Sequence, residues 1–587
     1  MIRKLAPAVL VTLLAACATP PKTASSGPAQ PVTVKIIGFN DFHGNLEMPR
    51  QSVDGPSANP DEHVRVPVGG AAYFASAVER YRAKNPRTLV LSAGDMISGS
   101  PITSSLFLDE PTIEVMNRIG VDFNALGNHE FDRGRQELLR MQNGGCQKFT
   151  SREPCQVDKP FRGAQFPFLA ANVLTEDGKT LFPATGLRKL GKGREAVTVG
   201  IIGLPLRDVE TLVNPSGIKG LTFRDEAETI NALIPKLKAQ GADTIVVLIH
   251  QGLYTKVGGN DKSCGGVSGD LLKVLAKLDP RVDLVVSGHT HWAYICDYGA
   301  IDPTRPFLVT SAGLWGEYIT DIDLAIDPVT KKVISKRADN VMVQSEPYTS
   351  TQGLVTVKPQ YEQFPPRADI AAYVGKYVDA VKSAKERPIG KASGGTPKPK
   401  QSTDESSLGN LIADAQLAAT KSAGAQFALM NNTGIRADLV VADDKTVTFG
   451  AIFATQPFAN ELKTMTLSGA DLKAVFEQEF DGQSFDQAFS PSANVRYSYD
   501  LTRPLGSRIF DLTIDDKPID PAADYRFTVN SFLASGGDSF TIFRNGRDVV
   551  TSGDDIDALE AWIKAVPVRE IPAVGRIKNL TPATAAK

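Results

Sequence analysis

Five short runs of apolar and β-branched residues, each followed closely by a histidine or an aspartate, constrain the fold of this chain more than any other feature. The runs are residues 34–39, 88–92, 121–126, 244–249 and 282–287. Runs of this length and composition are typical of buried strands. If these strands lie in one sheet, their carboxyl ends share the edge at which open α/β sheets bind ligands. The pattern therefore predicts that polar residues far apart in sequence meet in one pocket.

The residues that follow these runs have side chains that bind divalent metal ions. They are Asp41, His43, Asp95, Asn128, His129, His250, His289 and His291. Carboxylate oxygens and imidazole nitrogens are complementary ligands for Mn, Fe or Zn. Asp95 has two oxygens that can bridge two ions about 3.5–4 Å apart, the spacing that holds a phosphoryl group and activates water. Two metal ions are the economical interpretation, and the residues alone leave open whether His129 is a ligand.

Amphipathic stretches at residues 72–83, 111–119, 226–240 and 269–278 alternate with the strands, which predicts an α/β fold. The polar segment 48–67 contains His63 but no acidic motif in register with a strand. We therefore interpret it as a surface loop and leave His63 out of the site.

The ordered fragments resemble the five blocks of the calcineurin-like metallophosphoesterase superfamily. They are Asp41-Phe42-His43-Gly44-Asn45, Gly94-Asp95, Gly127-Asn128-His129-Glu130, His250 and Gly288-His289-Thr290-His291. The resemblance implies a catalytic domain built as a β-sandwich flanked by helices, with two divalent ions such as Mn, Zn or Co.

The resemblance also distributes the ligands. Asp41, His43, Asp95 and His291 would hold one ion, and Asp95, Asn128, His250 and His289 the other. It makes His129 a catalytic residue that is not a ligand, oriented by the carboxylate of Asp132. An imidazole that is hydrogen-bonded to a carboxylate keeps a proton with which to stabilise a leaving oxygen.

The second half of the chain resembles the carboxy-terminal domain of the 5′-nucleotidase family. The matching blocks lie at residues 405–415, 431–436, 456–460 and 531–540. The resemblance implies a nucleotide-binding α+β domain in which Asn431 and Arg436 make polar contacts, Phe458 and Phe532 clamp the base, and Asp538 binds the sugar hydroxyls. From the residues alone, core aromatics and a surface arginine are the favoured alternative.

One departure from the family pattern concerns phosphate or base binding. Many relatives carry an arginine where Ser402, Thr403 and Asp404 stand in this chain. The affinity of this segment for a phosphate or a base is therefore open, and so is the substrate preference.

The amino terminus has the organisation of a secretory signal. Arg3 and Lys4 precede an apolar run at 5–14, and Leu14-Ala15-Ala16-Cys17 resembles the lipobox of bacterial lipoproteins. The resemblance implies lipidation of Cys17 and a periplasm-facing protein anchored to the cell envelope, at the outer membrane. The alternative is an ordinary signal peptide with a chance cysteine.

The four remaining cysteines are an even number, which predicts two disulfides in an exported chain, with three pairings open. Closeness in sequence favours Cys146 with Cys155, leaving Cys264 with Cys296. A thiolate metal site is the rival interpretation, but the spacings match no zinc pattern.

A length of 587 residues predicts at least two domains. We expect a signal peptide at 1–16, a flexible tether at 17–31, the catalytic domain at 32–345, a linker with a helix at 346–390 and the substrate-binding domain at 391–580. A net charge of -2 argues against a nucleic-acid polymer as partner. The oligomeric state is open.

These features predict metal-dependent hydrolysis of nucleoside 5′-monophosphates to nucleoside and phosphate outside the cytoplasm, by water that two metal ions activate. Within hydrolases, the alternatives are 2′,3′-cyclic nucleotides, nucleotide sugars and nucleoside polyphosphates. A binding lipoprotein without catalysis is the alternative from another class, although all seven ligand positions carry competent side chains.

Overall fold

A computed structural model describes residues 30–55, 64–150, 152–213, 215, 217–350, 353–458, 460–482 and 486–582. The predicted signal peptide, Cys17 and nearly all of the predicted tether lie outside these ranges. Within them, no helix is both long enough and apolar enough to cross a membrane.

The strands of the amino-terminal domain come first along the chain. They are β1 (Val32–Phe39), β2 (Gln51–Gly55), β3 (Val64–Val68), β4 (Thr88–Ser92), β5 (Phe123–Ala125), β6 (Phe168–Leu169), β7 (Val173–Leu174), β8 (Thr185–Leu190), β9 (Val197–Pro205), β10 (Thr222–Phe223), β11 (Thr244–His250), β12 (Leu284–Ser287), β13 (Ala293–Asp297), β14 (Leu308–Ala312), β15 (Tyr318–Ile326) and β16 (Val333–Met342).

The α-helices of this domain are α1 (Ala71–Ala83), α2 (Ile102–Ser105), α3 (Glu110–Ile119), α4 (Gly134–Asn143), α5 (Val209–Leu212), α6 (Glu226–Ala239) and α7 (Leu271–Leu275). Their ends follow local chemistry. The side chain of Asp225 accepts a hydrogen bond from the backbone N–H of Glu228 and caps α6, and Gly120 ends α3 in the left-handed conformation.

Two six-stranded sheets form the body of this domain. Their orders are β16-β15-β1-β4-β5-β6 and β13-β14-β12-β11-β9-β8. Apolar side chains from both sheets, including Ile36, Leu91, Val246 and Val286, are buried in one core cluster between them. This arrangement is the β-sandwich that the resemblance implied.

The five predicted strands do not all lie in one sheet, contrary to the prediction from the sequence. β1, β4 and β5 are parallel neighbours in the first sheet, whereas β11 and β12 are parallel neighbours in the second. The ligands still converge, because the carboxyl ends of both sets of strands lie at the same edge of the sandwich. The segment 48–67 is not simply a loop either, since β2 and β3 pair antiparallel within it.

A short hairpin, β17 (Tyr348–Ser350) and β18 (Gly353–Val355), precedes the linker helix α8 (Ala368–Lys385). The apolar side of α8 is buried, as the spacing of Ile370, Tyr377 and Val381 predicts. The hydroxyl of Tyr373 donates to Asp158, so the helix is fastened to the catalytic domain.

The strands of the carboxy-terminal domain are β19 (Pro388–Lys391), β20 (Phe427–Asn431), β21 (Thr446–Thr448), β22 (Glu461–Ser468), β23 (Phe489–Pro491), β24 (Val495–Tyr499), β25 (Ile509–Ile514), β26 (Lys517–Pro518), β27 (Asp524–Asn530), β28 (Arg547–Asp554) and β29 (Ile577–Asn579). Its α-helices are α9 (Ser407–Thr420), α10 (Phe449–Thr455), α11 (Gly469–Glu477), α12 (Ser531–Ala534) and α13 (Asp555–Lys564). A five-stranded sheet, β23-β20-β27-β22-β28, and a four-stranded sheet, β26-β25-β24-β29, give the expected α+β domain.

Both predicted disulfide pairings are confirmed. Cys146 is bonded to Cys155, and Cys264 is bonded to Cys296. The second disulfide joins the loop after β11 to strand β13, which begins two residues after the predicted ligand His291.

Candidate active site

The histidines and aspartates that follow the strands form two adjacent clusters. Asp41, His43 and His291 make up the first, and Asp95, His250 and His289 the second. Within each cluster the ligand atoms lie within 4.8 Å of one another. These are the residues that the sequence predicts as ligands, with Asn128 still to be placed.

Short distances link the two clusters into one centre. The Nε2 atom of His250 lies 3.0 Å from Oδ2 of Asp95 and 3.9 Å from Oδ1 of Asp41. His43 Nε2 lies 3.7 Å from Oδ2 of Asp95. Asp95 therefore faces histidines of both clusters, which is the position required of a bridging carboxylate.

Asn128 belongs to the second cluster. Its Oδ1 atom lies 3.1 Å from Nδ1 of His289, so the amide oxygen and the imidazole point at a common space. In the first cluster, the Nε2 atoms of His43 and His291 are only 3.2 Å apart. Such crowding of donor atoms around shared volumes is typical of ligand sets for cations.

The backbone that carries these ligands is strained. Five of them adopt the left-handed conformation, with φ values of 49° at Asp41, 46° at His43, 50° at Asp95, 75° at His289 and 63° at His291. Residues other than glycine rarely adopt this conformation, and it concentrates at functional sites. Gly94 is also required, because a Cβ atom there would lie 2.6 Å from the backbone nitrogen of Gly127.

Glu130, whose role sequence reasoning missed, links the loop that follows β4 to the loop that follows β5. Its buried carboxylate accepts hydrogen bonds from the backbone N–H groups of Asp95, Met96 and Gly127, at 2.9, 2.8 and 2.6 Å. Burial, together with the charge of Asp95, raises the pKa of Glu130 to about 7. The residue stands inside the Gly127 to Glu130 motif, but only the folded loops reveal what it binds.

The electrostatics of the centre fit bound cations. Burial lowers the pKa of His43 to about 3 and that of His289 to about 4, so both are neutral, which is the form that binds metals. Burial opposes a charge on His250 too, but the carboxylates of Asp95 and Asp41 raise its pKa to about 10. Its Nε2 atom is buried and makes no hydrogen bond of good geometry among the described residues, although Oδ2 of Asp95 lies 3.0 Å away. A buried nitrogen in this position, facing two carboxylates, suits a metal ion.

His129 and Asp132 are in contact, as the sequence predicts. Nδ1 of His129 lies 2.8 Å from Oδ2 of Asp132, and the same oxygen accepts a hydrogen bond of 2.6 Å from the hydroxyl of Ser98. Burial works against a charged imidazole, but Asp132 and Asp95 raise the pKa of His129 above its ordinary value. The arrangement favours an imidazolium with Nδ1 committed to Asp132.

Arg436 and Phe458 reach the catalytic domain from the carboxy-terminal domain. The ring of Phe458 stacks on the imidazole of His129, and the guanidinium carbon of Arg436 lies 5.6 Å from the centre of the Phe458 ring. Burial lowers the pKa of Arg436, and the carboxylates of Asp95, Asp132 and Asp41 counteract that shift. Arg436 therefore places a positive charge beside the two clusters.

Asp538 is the centre of a hydrogen-bond network in the carboxy-terminal domain. Its Oδ2 atom accepts hydrogen bonds from the side-chain amide of Asn431, at 3.0 Å, and from the hydroxyl of Thr433. The amide of Asn530 in turn donates to Oδ1 of Asn431, at 2.8 Å. Burial raises the pKa of Asp538. Neither Thr433 nor Asn530 was identified from sequence, although Thr433 lies inside the 431–436 block.

One cavity of about 330 Å³ extends from the predicted metal ligands to the residues of the carboxy-terminal domain. Asp95, Asn128, His129, Asp132, His289, His291, Asn431, Arg436, Phe458, Phe532 and Asp538 line it. The predicted ligands Asp41, His43 and His250 lie behind this surface and are fully buried. Leu212, Val213 and Tyr254 also line the cavity, and no motif in the sequence identifies them.

Residues 402–404 support the fold of the site. The side-chain amide of Asn432 donates to the backbone carbonyl groups of Ser402 and Asp404, at 2.9 and 2.8 Å. Ser402, Thr403 and Asp404 do not line the cavity. The Nζ atom of Lys398 donates to the carbonyl oxygen of Arg436, a residue of the cavity lining, at 3.4 Å.

Comparison with known proteins identifies both halves of the chain. The family model described as calcineurin-like phosphoesterase matches residues 34–293, and the model described as the 5′-nucleotidase C-terminal domain matches residues 388–545. The cell wall protein Lmo0130 of Listeria monocytogenes is 30% identical over 574 residues, which cover 92% of this chain and 68% of that protein.

Two further proteins are similar to this chain over most of its length. The endonuclease YhcR of Bacillus subtilis is 30% identical over 550 residues, which cover 93% of this chain but 40% of the endonuclease. This chain thus spans less than half the length of that relative. The crystal structure of a 5′-nucleotidase precursor from Thermus thermophilus matches with a TM-score of 0.71 at 26% identity, covering 93% of this chain and 99% of that one.

Proposed function

Because the chain belongs to the 5′-nucleotidase family of metallophosphatases, we propose that it hydrolyses nucleoside 5′-monophosphates to nucleoside and phosphate. The observation that carries this proposal is the single cavity that joins the metal clusters to Phe532 and Asp538. A nucleotide has a phosphate at one end and a base at the other, and this cavity offers complementary groups for both.

Calcineurin-like phosphoesterases use two divalent metal ions, and the clusters of this chain provide donors for both. Asp41, His43, Asp95 and His291 would hold one ion, and Asp95, Asn128, His250 and His289 the other. When bound, the ions supply positive charge to the phosphate oxygens and acidity to a water molecule. The native metals are Mn, Zn, Co or similar ions in this proposal.

The side chains of the protein then orient and neutralise the phosphate. Arg436 is partly buried and contributes a positive charge beside the clusters, which favours a phosphate over a neutral ligand. His129 holds a proton because Asp132 raises its pKa, and Nδ1 is committed to that carboxylate. Its Nε2–H is therefore the group that stabilises the 5′-oxygen as that oxygen leaves.

The nucleoside would lie in the part of the cavity formed by the carboxy-terminal domain. Phe458 and Phe532 provide aromatic faces for the base, and stacking on such faces depends little on base identity. Asp538 is held by Asn431 and Thr433, and its carboxylate would accept hydrogen bonds from the ribose hydroxyls. Gly537 leaves room for the ring of Phe532, which lies 2.6 Å from where its Cβ atom would be.

The reaction would take place outside the cytoplasm. Two disulfides, the secretory pattern at the amino terminus and similarity to a protein named as a cell wall protein support this placement. We further propose that Cys17 is lipidated and holds the enzyme at the outer membrane facing the periplasm. Metabolic labelling with a fatty acid should mark the wild-type protein and leave the Cys17→Ala protein unlabelled; label on both would contradict the proposal.

A nucleotide panel tests the activity. Purified protein is treated with chelator, reloaded with Mn, Zn, Co or Mg, and assayed for phosphate and nucleoside release. We expect no turnover without metal, and kcat/KM at least about tenfold higher for nucleoside 5′-monophosphates than for 2′,3′-cyclic nucleotides or 3′-monophosphates. A preference for cyclic nucleotides would replace this proposal by a phosphodiesterase function, and metal binding without turnover would support a binding protein.

A further inference from the structure

One end of the catalytic domain carries a concentration of basic side chains. It is formed by Arg87, the segment 189–195 at the end of β8 and the turn 327–332 between β15 and β16, and we refer to these residues as the basal surface. Its basic residues are Arg87, Lys189, Lys192, Arg194, Lys331 and Lys332, and its acidic residues are Glu195 and Asp327. The whole chain has 64 basic and 66 acidic residues, so this excess of positive charge within fourteen residues is a local feature.

The three parts of the basal surface are in contact with one another. The Nζ atom of Lys331 donates to the backbone carbonyl oxygens of Arg194 and Ala196, at 2.8 and 2.7 Å. The guanidinium of Arg87 forms an ion pair with the carboxylate of Glu195. These contacts make the surface continuous and neutralise one of its two acidic side chains. The basic residues classed as exposed are Lys189, Lys192, Arg194 and Lys332.

The basal surface lies at the end of the sandwich where the chain enters the domain. Val32 at the start of β1 pairs with Ile326, so the turn after β15 stands beside the first residue of β1. The carbonyl oxygen of Arg87 accepts a hydrogen bond of 2.9 Å from the backbone N–H of Lys35 in the same strand. The predicted ligand Asp41 follows the other end of β1. The basal surface and the active site therefore lie at opposite ends of the strands.

An apolar side chain projects from the middle of this basic surface. Val329 occupies the turn between β15 and β16 and is 77% exposed. The backbone N–H groups of Val329 and Thr330 donate to Oδ1 of Asp327, at 2.8 and 2.7 Å, so the turn is ordered and the second acidic side chain is engaged. Cations around an apolar tip match a bilayer, in which anionic headgroups cover an apolar interior. A soluble anion would offer no partner for Val329.

We propose that the basal surface binds the anionic phospholipid headgroups of a bilayer and thereby directs the active-site cavity away from the membrane. The membrane contact is independent of the proposed reaction.

The contact would act together with the proposed lipid anchor. Cys17 stands fifteen residues before Val32, and a chain of that length bridges at most about 50 Å when fully extended. An anchor at Cys17 therefore keeps the end of the domain that carries the basal surface close to the bilayer. One acyl anchor and one basic surface together bind a membrane more stably than either alone, because each raises the local concentration of the other.

Vesicle sedimentation tests the contact without the anchor. Mature protein that begins at Ala18 contains every described residue but neither the signal segment nor an acyl chain, so its binding reports on the protein surface alone. It is mixed with vesicles of phosphatidylcholine, or of phosphatidylcholine and phosphatidylglycerol in equal parts. We expect the partition coefficient to be at least about tenfold higher for the mixed vesicles at low salt, and the difference to vanish at high salt.

Two double variants locate the binding surface. Lys192→Glu with Lys332→Glu should lower binding to the mixed vesicles by at least about tenfold. Lys236→Glu with Lys382→Glu makes the same charge change at exposed positions on α6 and α8, and should lower it by less than about threefold. Val329→Ser keeps every charge and should weaken binding by about threefold, because it removes the apolar tip. Thermal unfolding and phosphate release from a soluble nucleotide check that the variants are intact.

Equal binding of the unmodified mature protein to both kinds of vesicle would overturn the inference, and this comparison needs no variant. Equal losses in the two double variants would overturn the assignment to the basal surface. Retention on heparin without binding to vesicles would overturn the assignment to a membrane, because a soluble polyanion would then be the partner. Absence of phosphate release from every protein would count against the proposed function and leave the membrane contact standing.

Discussion

The ring of Phe458 lies parallel to the imidazole of His129, with 5.7 Å between the ring centroids and 10° between the planes. The two residues belong to different domains, and each has its own predicted role, one at the base and one at the leaving oxygen. In the proposed function, their contact would let the carboxy-terminal domain orient the imidazole of His129 while it holds the nucleoside. A change at Phe458 should therefore affect both binding and turnover.

Phe458→Ala should raise KM and also lower kcat, because it removes a stacking face for the base and the ring that packs on His129. We expect kcat/KM for a nucleoside 5′-monophosphate to fall by about 10- to 100-fold. Phe532→Ala is the matched variant, since it removes the other aromatic face and should act mainly on KM. Steady-state kinetics of both proteins measure the difference, and identical effects on kcat would contradict a role for Phe458 in positioning His129.

His129→Ala should remain folded and lose turnover by about 100- to 10,000-fold, the range expected when a proton donor is removed. Asp132→Asn should reduce turnover less than His129→Ala. The imidazole keeps its neighbour in this variant but loses the negative charge that raises its pKa. Thermal unfolding and metal content by mass spectrometry check that both proteins are intact. Full activity in His129→Ala would refute its assignment as a catalytic residue.

Asp538→Asn should weaken the recognition of ribose. If the carboxylate accepts hydrogen bonds from the sugar hydroxyls, the variant loses the part of the affinity that depends on them, about 1.5–3 kcal/mol for bonds to a charged group. The ratio of KM values for a 2′,3′-dideoxynucleotide and the matching ribonucleotide should then fall toward one. An unchanged ratio would show that Asp538 supports Asn431 and Thr433 without touching the sugar.

Metal ions should stabilise the protein as well as activate it. In their absence, the carboxylates of Asp41 and Asp95 are buried in strained loops near one another, and ligands that bind only the folded state raise its stability. Chelation should lower Tm, and added Mn or Zn should restore it. Asp95→Asn should lose most of the Tm response to metal and most of the turnover. Asp177→Asn, which changes an exposed carboxylate, should keep both. A Tm insensitive to metal in the wild-type protein would argue against the centre.

Glu317 should make stability depend on pH. Burial raises the pKa of its carboxyl group to about 8, above the ordinary value near 4.5. A carboxyl whose folded-state pKa is raised contributes stability that is fully present below its unfolded-state pKa and is lost as pH rises through the folded-state value. Between about pH 5 and 8, Tm should therefore fall more in the wild-type protein than in Glu317→Gln. Glu79→Gln, at an exposed site on α1, is the control, and parallel curves for all three proteins would refute the prediction.

Local chemistry in the sequence determined a large part of the site. The strand-forming runs before Asp41, Asp95 and His250 depend on the residues within each run, and the ligand character of aspartate and histidine does not depend on the fold. The family resemblance then supplied the proposed division of the ligands between two ions and the residues that are proposed to face the nucleoside. The pairing of Cys146 with Cys155 followed from their closeness in the chain.

Only the tertiary structure decided how these pieces meet. The strands before Asp95 and His250 lie in different sheets, because strand partners are selected by packing between distant segments, which a local pattern does not encode. For the same reason, the hydrogen bonds of Glu130 to the neighbouring loop and the stack of Phe458 on His129 could not be predicted. Asn431 and Asn530 are 99 positions apart and share no motif, so their hydrogen bond appears only once the chain is folded.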